Sequence, residues 1–181
     1  MAPQEPKSDC LDAELVRRIR RGDGEAFAQL VGRHGGRLYA VAASMLGNGP
    51  DAEDAVQETL TGAFRGLRGF QGRSSVKTWL MRILVRCVAK IRHGRYVRVA
   101  EPIDYVEGPA DAEAATDIRL DVRDVLADLS EEHRAVIVLR AMQGLSYDEI
   151  AEVLDVPRGT VESRLFRARQ ILKELLKDYL P

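Results

Sequence analysis

The sequence predicts an all-α protein: two small helical domains joined by a flexible acidic linker. Three observations carry this. Apolar residues recur at helical spacing in every segment outside a polar start and the linker. At 181 residues, with 45% hydrophobic and 30% charged residues, the chain suits one medium domain or two small ones, each able to bury a core. Composition also flips once. The 36 residues from Phe64 to Val99 hold ten Lys/Arg and no Asp or Glu, whereas Ala100 to Asp117 holds six acidic residues, no basic ones and two prolines. A flip of that kind marks a boundary. The expected organisation is a disordered tail over 1–9, a first domain over 10–99, a linker over 100–117 and a second domain over 118–181.

Leu11 to Arg21 carries Leu11, Leu15, Val16 and Ile19 at helical spacing, and Gly22-Asp23-Gly24 stops it. A longer helix follows, with Phe27, Leu30, Val31, Leu38, Val41, Ala42 and Met45 as its apolar stripe. Gly35-Gly36 weakens its middle, since each glycine costs roughly 1 kcal/mol against alanine. Gly47-Asn48-Gly49-Pro50 supplies turn chemistry. The next helix spans Asp51 to Leu67, with Ala52, Val56, Leu60, Ala63 and Leu67 as its expected buried face and carboxylates in its first turn, where the helix dipole favours them. Asp51, Asp54 and Glu58 share the opposite face. Spacing alone favours a solvated face there; the alternative is a docking surface for a basic partner.

Gly66 to Ser75 reads as a glycine-bearing loop, and Ser74 or Ser75 can cap a basic helix behind it. Val76, Trp79, Leu80, Ile83, Leu84, Val88 and Ile91 form that helix's stripe, while Arg82, Arg86 and Lys90 recur every four residues on an exposed face beside Lys77 and Arg92. Cationic charge of one sign repels itself unless a polyanion is near, and aromatics interleave with it. This is the pattern of a nucleic-acid surface: basic side chains hold phosphates, and aromatic faces stack on exposed bases. Trp79 belongs to the stripe, so Phe70 in the loop is the stacking candidate.

In the second half, Ile118 to Leu129 is amphipathic, and Ser130 caps a helix through Val136, Ile137 and Leu139. Ser146-Tyr147-Asp148-Glu149 is a capping box opening a short helix. Asp155-Val156 makes a tight turn, and Pro157 suits the first position of a longer helix carrying Val161, Leu165, Ala168, Ile171, Leu172 and Leu175. Short helix, tight turn and Arg-rich second helix form a helix-turn-helix pattern, whose second helix lies in the major groove of DNA. A plain helical hairpin is the alternative.

Cys10 and Cys87 lack metal-ligand or disulfide-framework spacing and suit a reducing cytoplasm. No apolar run approaches a membrane span, no signal peptide precedes residue 20, and no Walker A sequence is present. No cofactor or metal is expected.

Three motifs then carry a family resemblance: DAEDAVQET, GFQGRSSVKTWLMRI and LSYDEIAEVLDVPRGTVESRLFRAR, in this order, with LVRRIRRGDGEAFAQLVGRHGGRLYAVA ahead of them. The chain resembles bacterial sigma factors of the extracytoplasmic-function group, the compact form with only the second and fourth sigma domains. The resemblance implies that Asp51, Glu53, Asp54, Gln57 and Glu58 bind the clamp of the largest subunit of core RNA polymerase. It implies that Phe70, Gln71, Arg73, Ser74 and Ser75 accept a base flipped from the melted minus-ten element, and that Lys77, Arg82, Arg86 and Lys90 hold its phosphates. Arg158, Thr160, Glu162, Ser163, Arg164, Phe166 and Arg167 then read the minus-thirty-five duplex, while other faces of that domain dock on the polymerase flap. The linker threads the polymerase toward the RNA exit path, and an anti-sigma factor is a further expected partner.

Arg86 and Lys90 stand where the family often has Asn and Asp, which favours backbone binding over base reading. Glu162 stands where it often has Lys or Arg; a carboxylate cannot hold phosphate but can accept from cytosine N4. A stand-alone helix-turn-helix regulator explains residues 118–180 but gives the acidic helix and the Phe70 loop no purpose. An all-helical metal enzyme needs a Glu-x-x-His pair that His34, His93 and His133 do not supply.

Overall fold

The computed structural model describes residues 6–100 and 122–177, and every regular element among them is helical. Four helices form the first domain: α1 (Pro6–Arg20), α2 (Gly24–Leu46), α3 (Gly49–Gly66) and α4 (Val76–Ala100). A single 3-10 turn, Leu67–Gly69, follows α3. The second domain holds α5 (Val122–Ala127), α6 (Glu131–Ala141), α7 (Tyr147–Leu154) and α8 (Arg158–Leu175).

Helix starts are set by side-chain caps. Asp23 accepts from the Ala26 amide at 3.1 Å, Asn48 from Asp51 at 2.9 Å, and Ser75 from Thr78 at 3.1 Å, each satisfying an amide that the helix itself leaves orphaned. Ser146 and Glu149 complete the capping box in both directions. At its C-terminus α2 ends on Gly47 at φ 77°, where a side chain would be strained. Asp155, at φ 55°, makes the turn of the helix-turn-helix in the same left-handed region, which aspartate tolerates.

Several boundaries differ from expectation. α1 opens at Pro6, inside the span read as tail, because proline fits a first helical turn, where its missing N–H is not needed. The Gly35-Gly36 pair does not interrupt α2: the stripe of Leu30, Leu38, Val41 and Met45 is buried on both sides of it. Pro157 is the N-cap of α8 rather than its first residue. The linker expected over 100–117 lies, apart from Ala100, outside the described residues.

The buried face of α3 is rotated from the expected one. Ala52, Ala55, Thr59 and Ala63 are buried, while Val56 and Leu60 are half-buried. The reason is close approach to α4. A Cβ built on Gly66 would stand 3.2 Å from Trp79, and one on Gly62 would stand 3.5 Å from Ile83, so small residues line the contact. On α4 the buried side chains include Thr78, Met81 and Cys87 beside the expected Val76, Leu80, Leu84 and Val88. On α8, Ile171 faces solvent, while Val161, Leu165 and Ala168 are buried.

The two domains pack against each other, α7 on α4 and α6 on α2. Thr78 is wholly buried in this contact, and its hydroxyl donates to Glu149 at 2.9 Å. Arg134 donates to the Met45 carbonyl at the end of α2 at 3.1 Å, and Arg92 donates to the same oxygen. Arg92 also pairs with Glu131 across the contact at 3.0 Å.

Candidate nucleic-acid interface

The basic surface is built on α4, and the packing behind it fixes which cations are available. Leu80, Met81 and Leu84 anchor the helix in the core, leaving Lys77 and Arg82 half-buried at the domain contact and Arg86 and Lys90 exposed. The ammonium of Lys77 donates to the Gln143 carbonyl at 3.3 Å. Arg82 reaches Glu152 at only 3.7 Å, and its Nε is buried with no hydrogen-bond partner. Two of the four expected phosphate-holding residues therefore face the second domain, which presents Glu149 and Glu152 to them. Arg86 is exposed on the same helix. Lys90 pairs with Glu58 at 2.5 Å, and that hydrogen bond and charge push its pKa up. A residue assigned to DNA and one assigned to polymerase thus form a single ion pair.

The loop holds Phe70 against Trp79, ring centroids 5.0 Å apart, with the ring half-buried. Arg20 donates to the carbonyls of Leu67 and Phe70, tying the loop to α1. Gln71 and Arg73 are exposed; Ser74 and Ser75 are half-buried. Ser75, besides capping α4, bonds the Thr78 hydroxyl at 2.9 Å. Thr78 was not among the expected site residues, although its place three residues after Ser75 is that of a cap partner.

On α3 the acidic face is open. Glu53, Asp54 and Gln57 are exposed, and Asp51 sits at the capped first turn with Asn48. Nearby, Phe64 is 58% exposed and meets Phe27 edge-on at 5.0 Å, which extends the face with an apolar patch.

The helix-turn-helix presents Glu162, Ser163, Phe166 and Arg167 outward, Phe166 at 64% exposure, with Thr160 half-buried. Arg164 turns back to Glu132 of α6 at 2.6 Å, which commits this expected reader to its own domain. Arg158 donates to Glu162 at 3.0 Å and to both oxygens of Asp148 at 3.1 and 3.2 Å; the Glu162 bond and the two carboxylate charges push its pKa up further. Glu149 is pushed up by burial, but the amide and hydroxyl of Ser146, the Thr78 hydroxyl and Lys77 outweigh that, so its pKa is lowered. Among the described residues no group of three His, Cys, Asp or Glu is placed to hold a metal, and no helix is long and apolar enough to cross a membrane.

Fold and surface together define a class: an all-helical two-domain protein with a cationic helix in one domain and a helix-turn-helix in the other. Comparison with known proteins makes it particular. The Sigma-70 region 2 family matches residues 30–93, and the Sigma-70, region 4 family matches residues 119–172. The RNA polymerase sigma-H factor of Pseudomonas aeruginosa is 33% identical, with 93% of this chain and 95% of that protein covered. The ECF RNA polymerase sigma-E factor of Escherichia coli is 35% identical, with 89% and 92% covered. Among solved structures, CnrH in complex with the cytosolic domain of CnrY superposes with a TM-score of 0.70 at 30% identity, covering 93% of this chain and 98% of that one. RpoE in complex with the anti-sigma factor NepR, from Bartonella quintana, superposes at 0.69 and 33% identity, covering 83% and 96%. The chain belongs to the sigma-70 family, in its extracytoplasmic-function group of RNA polymerase sigma factors.

Proposed function

We propose that this protein docks on the clamp of core RNA polymerase through Asp51, Glu53, Asp54, Gln57 and Glu58, and directs initiation at promoters with a minus-ten and a minus-thirty-five element. Residues 10–99 act on the first element and 118–181 on the second. The Phe70–Ser75 loop captures an unpaired base, and Lys77, Arg82, Arg86 and Lys90 hold the strand. Capturing an already extruded base favours the melted state, because a duplex must first lose a few kcal/mol of stacking and pairing. The chain works in the cytoplasm and catalyses nothing itself; the polymerase does.

The observation that carries this reading is the order of surfaces along one chain: an open acidic face on α3, a cationic α4 behind an aromatic loop, then an exposed recognition helix. In the closed packing Lys77 and Arg82 face α7, so the promoter-bound form is an open one. The similar structures in complex with partner proteins, one of them the anti-sigma factor NepR, support an anti-sigma factor as a partner of this chain.

Run-off transcription with purified core polymerase on pooled genomic fragments tests this. Protein-dependent transcripts from fixed start sites are expected, with two shared upstream elements. Tight duplex binding by the protein alone, with no transcripts, would instead support a stand-alone regulator.

A further inference from the structure

The start of α8 carries an ion chain that bridges the two helices of the helix-turn-helix. Arg158 is its centre. Nε donates to Glu162 Oε1, four residues on along α8, and Nη1 donates to both oxygens of Asp148 on α7. All three residues are exposed, and exposed ion pairs contribute little to fold stability. Their consequence lies in what they leave available. Nη2 of Arg158 and Oε2 of Glu162 have no protein partner among the described residues. A donor and an acceptor are thus offered side by side, their separation set by the ion pair between them.

That combination is matched by one base-pair edge. In the major groove a C·G pair shows the cytosine N4 amino donor next to the guanine O6 acceptor. A·T also shows a donor beside an acceptor, but adds the thymine methyl, and adenine pairs best with an amide side chain rather than a carboxylate. The reversed G·C pair sets acceptor against carboxylate. A carboxylate alone on this surface would be repelled by the phosphates around it; the attached guanidinium, although shared with Asp148, offsets part of that charge.

We propose that Arg158 and Glu162 act as one reading unit for a C·G pair in the upstream promoter element. Glu162 accepts from cytosine N4, Arg158 donates to guanine O6, and Asp148 is the positioning residue that holds the guanidinium. This rests on the reading of α8 as the recognition helix. It turns Glu162 from an isolated acidic substitution into half of a pair, and brings in Asp148, which does not itself touch DNA.

The test is a transcription library with a fixed minus-ten element and a randomised upstream element, read with reconstituted holoenzyme. The native protein is expected to prefer C·G at one position by roughly ten- to a hundredfold over the other pairs. R158A and E162A should both flatten that one position and leave the other columns intact, and the double variant should flatten it no further. D148A should weaken the same column, and D148E should restore it, with the thermal midpoint of all variants unchanged. Flattening of different columns by R158A and E162A, uniform loss across all columns, or a native preference for another pair would overturn the proposal. A native protein with defined transcripts but no upstream preference at any position would overturn the recognition-helix reading and the proposal with it.

Discussion

Asp12 is a carboxylate on α1 with 2% exposure, and it survives there because it is paired twice. His34 donates from Nε2 at 2.9 Å and Arg33 from Nε at 2.9 Å, fastening α1 to α2. Burial pushes the Asp12 carboxyl up; the hydrogen bond and charge of His34 and those of Arg33 outweigh it, so the group titrates below its ordinary 3.8. A carboxylate lowered on folding stabilises the fold above its unfolded pKa, and that contribution is lost as pH falls through the folded value. Asp12→Ala is therefore expected to cost about 3 kcal/mol at pH 7, the cost of breaking a buried pair. The difference from the native protein should shrink steadily below pH 3.8, measured by denaturant unfolding across pH. A gap of constant size would show that the pair does not hold the two helices together. Cys87 shows the same physics without a partner charge in command: burial pushes its thiol up, against a hydrogen bond from Thr59, and leaves it a packing residue.

At the scale of the element, sequence signals worked where one residue decides the outcome locally. Ser130, Ser146, Gly47 and the Glu149 capping box stand where their chemistry requires. The α3 face could not be read so directly, because period alone does not say that Gly62 and Gly66 let α4 come close enough to rotate the contact toward alanines. The same limit applied to the site. The cationic face of α4 and the exposed Phe166 and Arg167 of α8 were legible as patterns, whereas the turning of Arg164 to Glu132 and the pairing of Lys90 with Glu58 depend on which helices become neighbours. The capping box is also where an element meets function. Glu149 receives the Ser146 amide at 2.8 Å through one oxygen and the Thr78 hydroxyl at 2.9 Å through the other. Ser146→Ala should destabilise the second domain by about 1 kcal/mol, the usual value of a helix cap, seen as an earlier unfolding midpoint. A change of less than a few tenths would mean that Glu149 alone holds the helix start.

The whole molecule poses a problem of reach. Elements centred about 25 base pairs apart are separated by roughly 85 Å of duplex. A compact body of about 150 residues has a radius of gyration of only about 15 Å, so under the proposed two-element reading the closed packing cannot touch both at once. The 21 residues between Ala100 and Val122 can span at most about 75 Å when fully extended, enough with the domains themselves to bridge the distance. Opening is made easier by a flaw in the closed contact. Arg82 Nε is buried without a partner, which costs more than an uncharged orphan would, and its nearest carboxylate, Glu152, is 3.7 Å away. Against this stand the Thr78–Glu149 bond and the Arg92–Glu131 pair. Because Glu149 titrates below its ordinary 4.5, its share of the contact is present above that pH and fades as pH falls further. Glu152→Arg sets like charge against Arg82 at the surface of α7 without touching the core or the capping box. It is expected to raise the radius of gyration in solution scattering and to tighten binding of the free protein to a single-stranded minus-ten oligonucleotide several-fold. Unchanged scattering with unchanged affinity would mean that the acidic face of α7 does not compete with nucleic acid for α4. A larger radius without tighter binding would place the barrier in the loop, where Phe70 must first leave Trp79 before it can stack on a base.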